Sequence, residues 1–138
     1  MKSEELLEAV GFSVMFIRPG DSAVAMGLGD LPVAAASHFI NLMESAALTA
    51  ISEHLEAGES TRMINIDVAE IDAVAIGSEI RATARCTHVQ GKEITLECEV
   101  YNGERRVATA TMKRATVERV SFLARTAAQS IVEQLPQI

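Results

Sequence analysis

Residues 37–56 read SHFINLMESAALTAISEHLE, and the periodicity of this stretch decides the fold. It is rich in Ala, Leu, Met and Glu, all good helix formers. Ser37 stands at its start as an N-cap, and Gly58 closes the far end. On a wheel turned about 100° per residue, with Phe39 at zero, Leu42, Ala46, Ala50, Met43, Ala47, Ile40, Ile51, Leu55 and Leu48 fill one broad apolar arc. Asn41, Ser52, Ser45, His38 and Thr49 form the polar remainder, so His38 and His54 read as surface residues. A helix apolar over so much of its circumference needs a sheet to bury it.

The sheet is found downstream, where the period switches to two. Ile64, Ile66 and Val68 share a face within 62–70. Ile80, Ala82, Ala84 and Cys86 do so within 79–89, and Ile94, Leu96, Cys98 and Val100 within 93–101. Gly91 and the pair Asn102-Gly103 mark hairpin turns, the second leading into a strand over about 105–117. Upstream, 12–17 and 22–27 read as two short strands separated by the turn cluster Pro19-Gly20-Asp21. A last amphipathic helix is expected over about 119–134. Consecutive hairpins make the sheet antiparallel, and alternation gives it one dry face. The class is α+β, an antiparallel sheet wrapped around a long central helix. One domain is expected over 1–138, with its core at about 12–117.

Composition narrows the function. An apolar fraction of 49% is that of a globular chain. Lys and Arg total 12 against 19 acids, a net charge of -7, which argues against nucleic acid or an anionic membrane as the main partner. A local basic pocket for a small anion stays open. No apolar run is long enough to span a membrane, and the acidic start MKSEELLEAVG has no apolar signal core. Two cysteines, Cys86 and Cys98, lie in core phase and suit a reducing, cytoplasmic setting. No Cys/His cluster has metal-ligand spacing, so no metal is expected. Arg81 and Arg85 face Glu97 and Glu99 of the next strand as a cross-strand charge ladder.

Glu44 does not lie in the polar stripe. It falls between Ile51 and Leu55, with Ile40 and Leu48 as next neighbours. A carboxylate there either reaches water at a helix edge, pairs with a cation such as an Arg at a subunit contact, or sits in a low-dielectric catalytic site. Ser37 shares its face two turns earlier and Asn41 borders it. The free N–H groups at the helix start offer a seat for a developing oxyanion. Glu70 continues the phase of Ile64, Ile66 and Val68, which points it toward the helix; the other reading ends the strand near Ala69 and leaves Glu70 in solvent.

The stretch GLGDLPVAAASHFINLMESAALTAISEHLEAG, together with the 62–70 strand, the Gly77 turn, the hairpin VQGKEITLECEVYNGE and the strand ATMKRATV, resembles hotdog-fold thioesterases of the fluoroacetyl-CoA thioesterase-like group over about 20–123. The resemblance implies a hotdog fold and a homodimer, possibly a tetramer. It also implies acyl-CoA in the groove between subunits, with no cofactor beyond the CoA of the substrate. That group hydrolyses its substrate with a helix Glu, a Thr eight residues earlier and a His on the next strand. Glu44 matches the Glu. The Thr position is Ala36, with Ser37 beside it. The His position is Glu70, a family Gly seven residues earlier is Met63, and a late-strand Arg matches Arg114, a contact for a CoA phosphate. A Thr/Glu/His relay therefore cannot operate as written. One route left is a single helix carboxylate acting as base for water or as nucleophile. Ser37 and the helix-start amides then polarise the carbonyl, Glu70 holds a water or a substrate amide, and Ala36, Asn41 and Met63 line the substrate. The alternative is a binding protein without turnover. A dehydratase reading would pair Glu44 with Glu70, though no dehydratase motif is present.

Overall fold

The computed structural model describes residues 1–136, so the last two residues of the expected domain lie outside the described residues. In chain order the elements are α1 (Ser3–Leu6), β1 (Val10–Phe16), α2 (Ser37–Ile51), β2 (Glu59–Ile71), β3 (Glu79–Gln90), β4 (Glu93–Asn102), β5 (Arg105–Glu118) and α3 (Arg119–Glu133). The five strands form one antiparallel sheet in the order β1-β3-β4-β5-β2. The hairpin turns fall where expected, with Gly91 and Gly103 both in the left-handed region that glycine adopts without strain.

The long helix is shorter than its pattern suggested. It ends at Ile51 and continues as a single 3-10 turn, Ser52–His54. Its apolar arc is buried through Phe39, Leu42, Met43, Ala46, Ala47, Ala50 and Ile51, against Ile80, Ala82, Ala84, Cys86, Leu96 and Cys98. Packing is closest over β1. A Cβ on Gly11 would lie 2.0 Å from the Ala46 carbonyl oxygen and 2.3 Å from Thr49 Oγ1, so only glycine lets the helix approach there. Thr49 Oγ1 accepts from the Phe12 N–H at 3.1 Å and directs its one proton between the Ala46 carbonyl at 2.8 Å and the Phe12 carbonyl at 3.3 Å, covering a backbone donor that an edge strand would otherwise expose.

Three expectations are corrected. Residues 22–27 are a compact turn, not a strand. Ser22 Oγ donates to the Pro19 carbonyl and accepts from Ala25 N–H, and Met26 N–H bonds the Ser22 carbonyl, so local bonds outcompete strand pairing. His38 and His54 are shielded rather than on the surface, each with a ring nitrogen 3.7 Å from a carboxylate oxygen, of Asp21 and Glu5 respectively. The charge ladder is rearranged. Arg85 stands opposite Glu97 in register but ion-pairs with Glu8, while Glu99 pairs with Arg106 and Glu97 accepts from Thr111 Oγ1.

The helix covers the sheet unevenly. Packing of α2 runs over β1, β3 and β4, and the inward residues of β5 are also buried, whereas the edge strand β2 has no comparable cover among the described residues. On β2, Met63, Ile66 and Val68 are only partly buried and Ile71 is exposed. No described helix is long and apolar enough to cross a membrane.

Candidate functional site

The site grows from the boundary between the covered part of the sheet and its uncovered β2 edge. Ser37, Asn41, Glu44 and Leu48 follow one another at helical spacing and form a stripe that α2 does not bury. Across from it, β5 carries its inward residues Ala108, Ala110 and Met112, and then Arg114 in the same phase. Arg114 is 4% exposed. Each of its three nitrogens is engaged: Nη1 donates to Glu44 Oε2 at 2.6 Å, Nε to Thr61 Oγ1 at 2.9 Å and Nη2 to the Thr61 carbonyl at 3.0 Å.

Of the three fates open to Glu44, the structure realises pairing, and with an Arg of its own chain. The Glu44 side chain stays 36% exposed, so the pair has one buried partner and one that meets the open side. Oε2 is held by the guanidinium; Oε1 has no hydrogen bond among the described residues. A carboxylate fixed through one oxygen and open at the other can orient a water molecule or attack an electrophile directly.

All three nitrogens of Arg114, matched from the sequence to a CoA-phosphate contact, are engaged within the chain. Burial and three hydrogen bonds make it the support of Glu44. Thr61 is the residue that sequence reasoning passed over. Its signal was phase: it lies two residues before Met63, which stands directly opposite Arg114 in the β2–β5 register. Met63 thus lies beside the ion pair on the same face of the sheet.

Ser37 is not the cap. Ala36 occupies that position with helical dihedrals and without a side-chain cap bond, and Ser37 is the first helical residue. Its Oγ is shielded from solvent and makes no hydrogen bond among the described residues. Ala36 and Asn41 are exposed, at the start of the helix and one turn in.

Glu70 is not brought to this site. The strand runs on to Ile71, but β2 slips register twice, between Met63 and Asn65 and again between Val68 and Glu70. The extra residue Ala69 flips the phase, because side chains alternate strictly along a strand. Glu70 then stands opposite Thr109, between the inward Ala108 and Ala110, on the outer face, where its Oε1 meets Arg106 Nη2 at 3.2 Å. The Glu44–Glu70 acid pair that a dehydratase would need is not assembled.

Near the helix start, Asp21 accepts from Arg18 N–H at 2.9 Å and Arg18 Nε at 3.3 Å. The backbone bond above all, aided by the guanidinium and by nearby His38, holds its carboxyl below the ordinary Asp value despite desolvation. This cluster secures the loop that delivers the chain into α2. Among the described residues, no group of three or more His, Cys, Asp or Glu is gathered as a metal site.

Known structures match this architecture. The fluoroacetyl-CoA thioesterase FlK, solved with fluoroacetate, aligns with a TM-score of 0.80 at 21% identity, over 89% of this chain and 97% of its own. A thioesterase superfamily member from Thermus thermophilus aligns at 0.85 with 17% identity, over 93% and 95%. A hot-dog-like protein from Thermanaerovibrio acidaminovorans aligns at 0.79 with 17% identity, over 94% and 97%. At such identities the likeness speaks for the fold. No curated protein sequence matches the chain. The sequence pattern of the fluoroacetyl-CoA-specific thioesterase family matches residues 17–120. With a five-stranded antiparallel sheet wrapped on one long helix, this chain has the hotdog fold and belongs to the fluoroacetyl-CoA-specific thioesterase family.

Proposed function

We propose that the protein hydrolyses an acyl-CoA to the free acid and CoA, with Glu44 as the general base for water or as the nucleophile. The observation that carries this reading is the Glu44 carboxylate itself. It sits on the stripe of α2 that the sheet leaves open, is clamped through Oε2 by a buried guanidinium, and is open at Oε1. As a base, Glu44 takes a proton from water as its oxygen attacks the thioester carbon. The tetrahedral intermediate then collapses, expelling CoA thiolate, which is protonated on leaving. In this reading the Ser37 hydroxyl, which has no hydrogen-bond partner among the described residues, donates to the carbonyl oxygen as it gains charge. Ala36, Asn41 and Met63 border the acyl group.

A second copy of the chain completes the groove. The β2 strand is a sheet edge, and its inner face lacks a helix and presents Ile66, Val68 and Ile71. Pairing two β2 edges covers both features at once. Sedimentation at micromolar concentration should give a dimer, and a monomer would remove this part.

Thiol release from a panel of acyl-CoAs should show turnover, and Glu44→Gln should lower kcat at least about a hundredfold. Unchanged activity in Glu44→Gln would dismiss the mechanism. The second reading, ligand binding without turnover, is favoured by the side chains at the family's relay positions, since Ala36 has no hydroxyl and Glu70 faces away. Calorimetric binding of acyl-CoA with no thiol released would establish it.

A further inference from the structure

Around the same end of the β2–β5 pair, but on its outer face, α3 leaves a groove of about 640 Å³. That lies within the range of about 300–1,000 Å³ usual for small-molecule sites. Its walls carry Arg62, Lys92 and Arg125, with Thr116, Ser121 and Phe122 between them. We propose that this groove binds the phosphorylated adenosine head of CoA, by charge from Arg62, Lys92 and Arg125 and by ring contact from Phe122; the CoA assignment rests on the thioesterase reading above.

The first reason is charge. In a chain with 19 acids and 12 bases, three cations and one acid line a single groove. The ion pairs among the described residues involve Arg18, Arg85, Arg105, Arg106 and Arg114, and none uses Arg62, Lys92 or Arg125. Unpaired cations converging on a concavity favour a polyanion. The acid in the wall, Glu118, is already committed. It caps α3 by accepting from Val120 N–H and Ser121 N–H, bonds that hold its carboxyl below the ordinary Glu value.

The second reason is that the cations are placed by the fold. Arg62 stands opposite the small Ala115 and lies over the Phe122 ring, 5.8 Å from its centre. The turn carrying Lys92 is tied to β5, because its carbonyl accepts from Thr116 N–H at 2.8 Å and Thr116 Oγ1 at 3.4 Å. Ser121, Phe122 and Arg125 recur at helical spacing, so one face of α3 turns cation, hydroxyl and ring onto the groove. An aromatic ring beside cations suits a purine nucleotide better than a bare anion.

The third reason is position. Arg62 follows Thr61, and Ala115 follows Arg114, the two residues that hold Glu44 in place. The groove and the carboxylate therefore occupy the two faces of one strand pair within a residue step. The long arm of CoA separates its nucleotide from its thioester, as this arrangement requires.

The test combines binding and kinetics on the full chain. Adenosine 3′,5′-bisphosphate is titrated calorimetrically into the wild type and into the triple variant Arg62→Gln/Lys92→Gln/Arg125→Gln, with circular dichroism as the control for folding. All three side chains are exposed, and Arg62→Gln and Arg125→Gln are also made singly. The wild type should bind more weakly as salt rises, and the triple variant at least about tenfold more weakly again. In turnover assays the triple variant should raise KM for acyl-CoA about tenfold and leave KM for the matching pantetheine thioester, which lacks the nucleotide, unchanged. Equal affinity of wild type and triple variant for the bisphosphate overturns the site. ADP binding as tightly as the bisphosphate overturns the CoA assignment in favour of a free nucleotide. Should neither thioester be turned over while the bisphosphate binds as expected, the thioesterase reading fails and the groove stands as a nucleotide site.

Discussion

Removing the Arg114 guanidinium separates the two roles open to this residue. In Arg114→Met three hydrogen bonds vanish, to Glu44 Oε2, Thr61 Oγ1 and the Thr61 carbonyl. The two bonds to Thr61 contribute about 1 kcal/mol each. The bond to Glu44 is discounted toward a surface ion pair, about 1 kcal/mol, because the carboxylate is 36% exposed and water can replace the lost partner. The total is about 3 kcal/mol, a large share of a small domain's stability. With an m value of about 2 kcal/mol per M, the urea midpoint should fall by about 1.5 M, measured at one protein concentration because association contributes. Glu44→Gln keeps an acceptor for Arg114 and should cost about 1 kcal/mol. The double variant Glu44→Gln/Arg114→Met should be no worse than Arg114→Met alone, a coupling of about 1 kcal/mol. Kinetically, loss of the clamp should lower kcat at least about tenfold by misorienting Glu44, with KM for acyl-CoA unchanged. Additive stabilities, with coupling below about 0.3 kcal/mol, would show that the two side chains do not support each other. A rise in KM with kcat intact would return Arg114 to the role of phosphate contact.

Three further predictions test the frame around the site. Gly11→Ala drives a methyl into the Ala46 carbonyl and Thr49 Oγ1 and should cost about 1–3 kcal/mol by denaturation; an unchanged midpoint would mean that α2 is not seated on β1. Asp21 has its carboxyl depressed in the folded state, so its stabilisation is complete above the unfolded-state value and lost as pH falls through the folded one. The stability difference between wild type and Asp21→Asn should thus be constant near neutrality and shrink as pH falls below about 4; a difference that grows on acidification would contradict the assignment. Burial pushes the Cys98 thiol up to about 12 and raises that of Cys86 as well. A chromogenic disulfide reagent at neutral pH should leave both untouched in the native protein and react with both in denaturant, and rapid native labelling would mean the core is open.

The positions now occupied by Ala36, Met63 and Glu70 show how far linear matching carries. It located Glu44 correctly on the stripe shared with Ser37 and Asn41, because helical spacing is a property of the chain alone. For Glu70 it left two readings, and the outward one holds for another reason: β2 runs on to Ile71, but its register slips change which face later residues take. It misjudged residues 22–27, which read as a strand but whose backbone is satisfied locally through Ser22.

The β3-β4-β5 meander, the central helix and the anomaly at Glu44 were determined by sequence, since each depends on periods of two or of about 3.6 residues that neighbours in the chain impose on one another; the run of consecutive hairpins stops short of β2, which pairs with β5 and not with β3. Tertiary structure alone decided what that carboxylate does. Its partner lies 70 positions away on β5, anchored by Thr61 from a third element. No local pattern encodes the meeting of α2, β5 and β2, because it comes from how distant strands pair and where the helix crosses them, leaving the β2 edge uncovered.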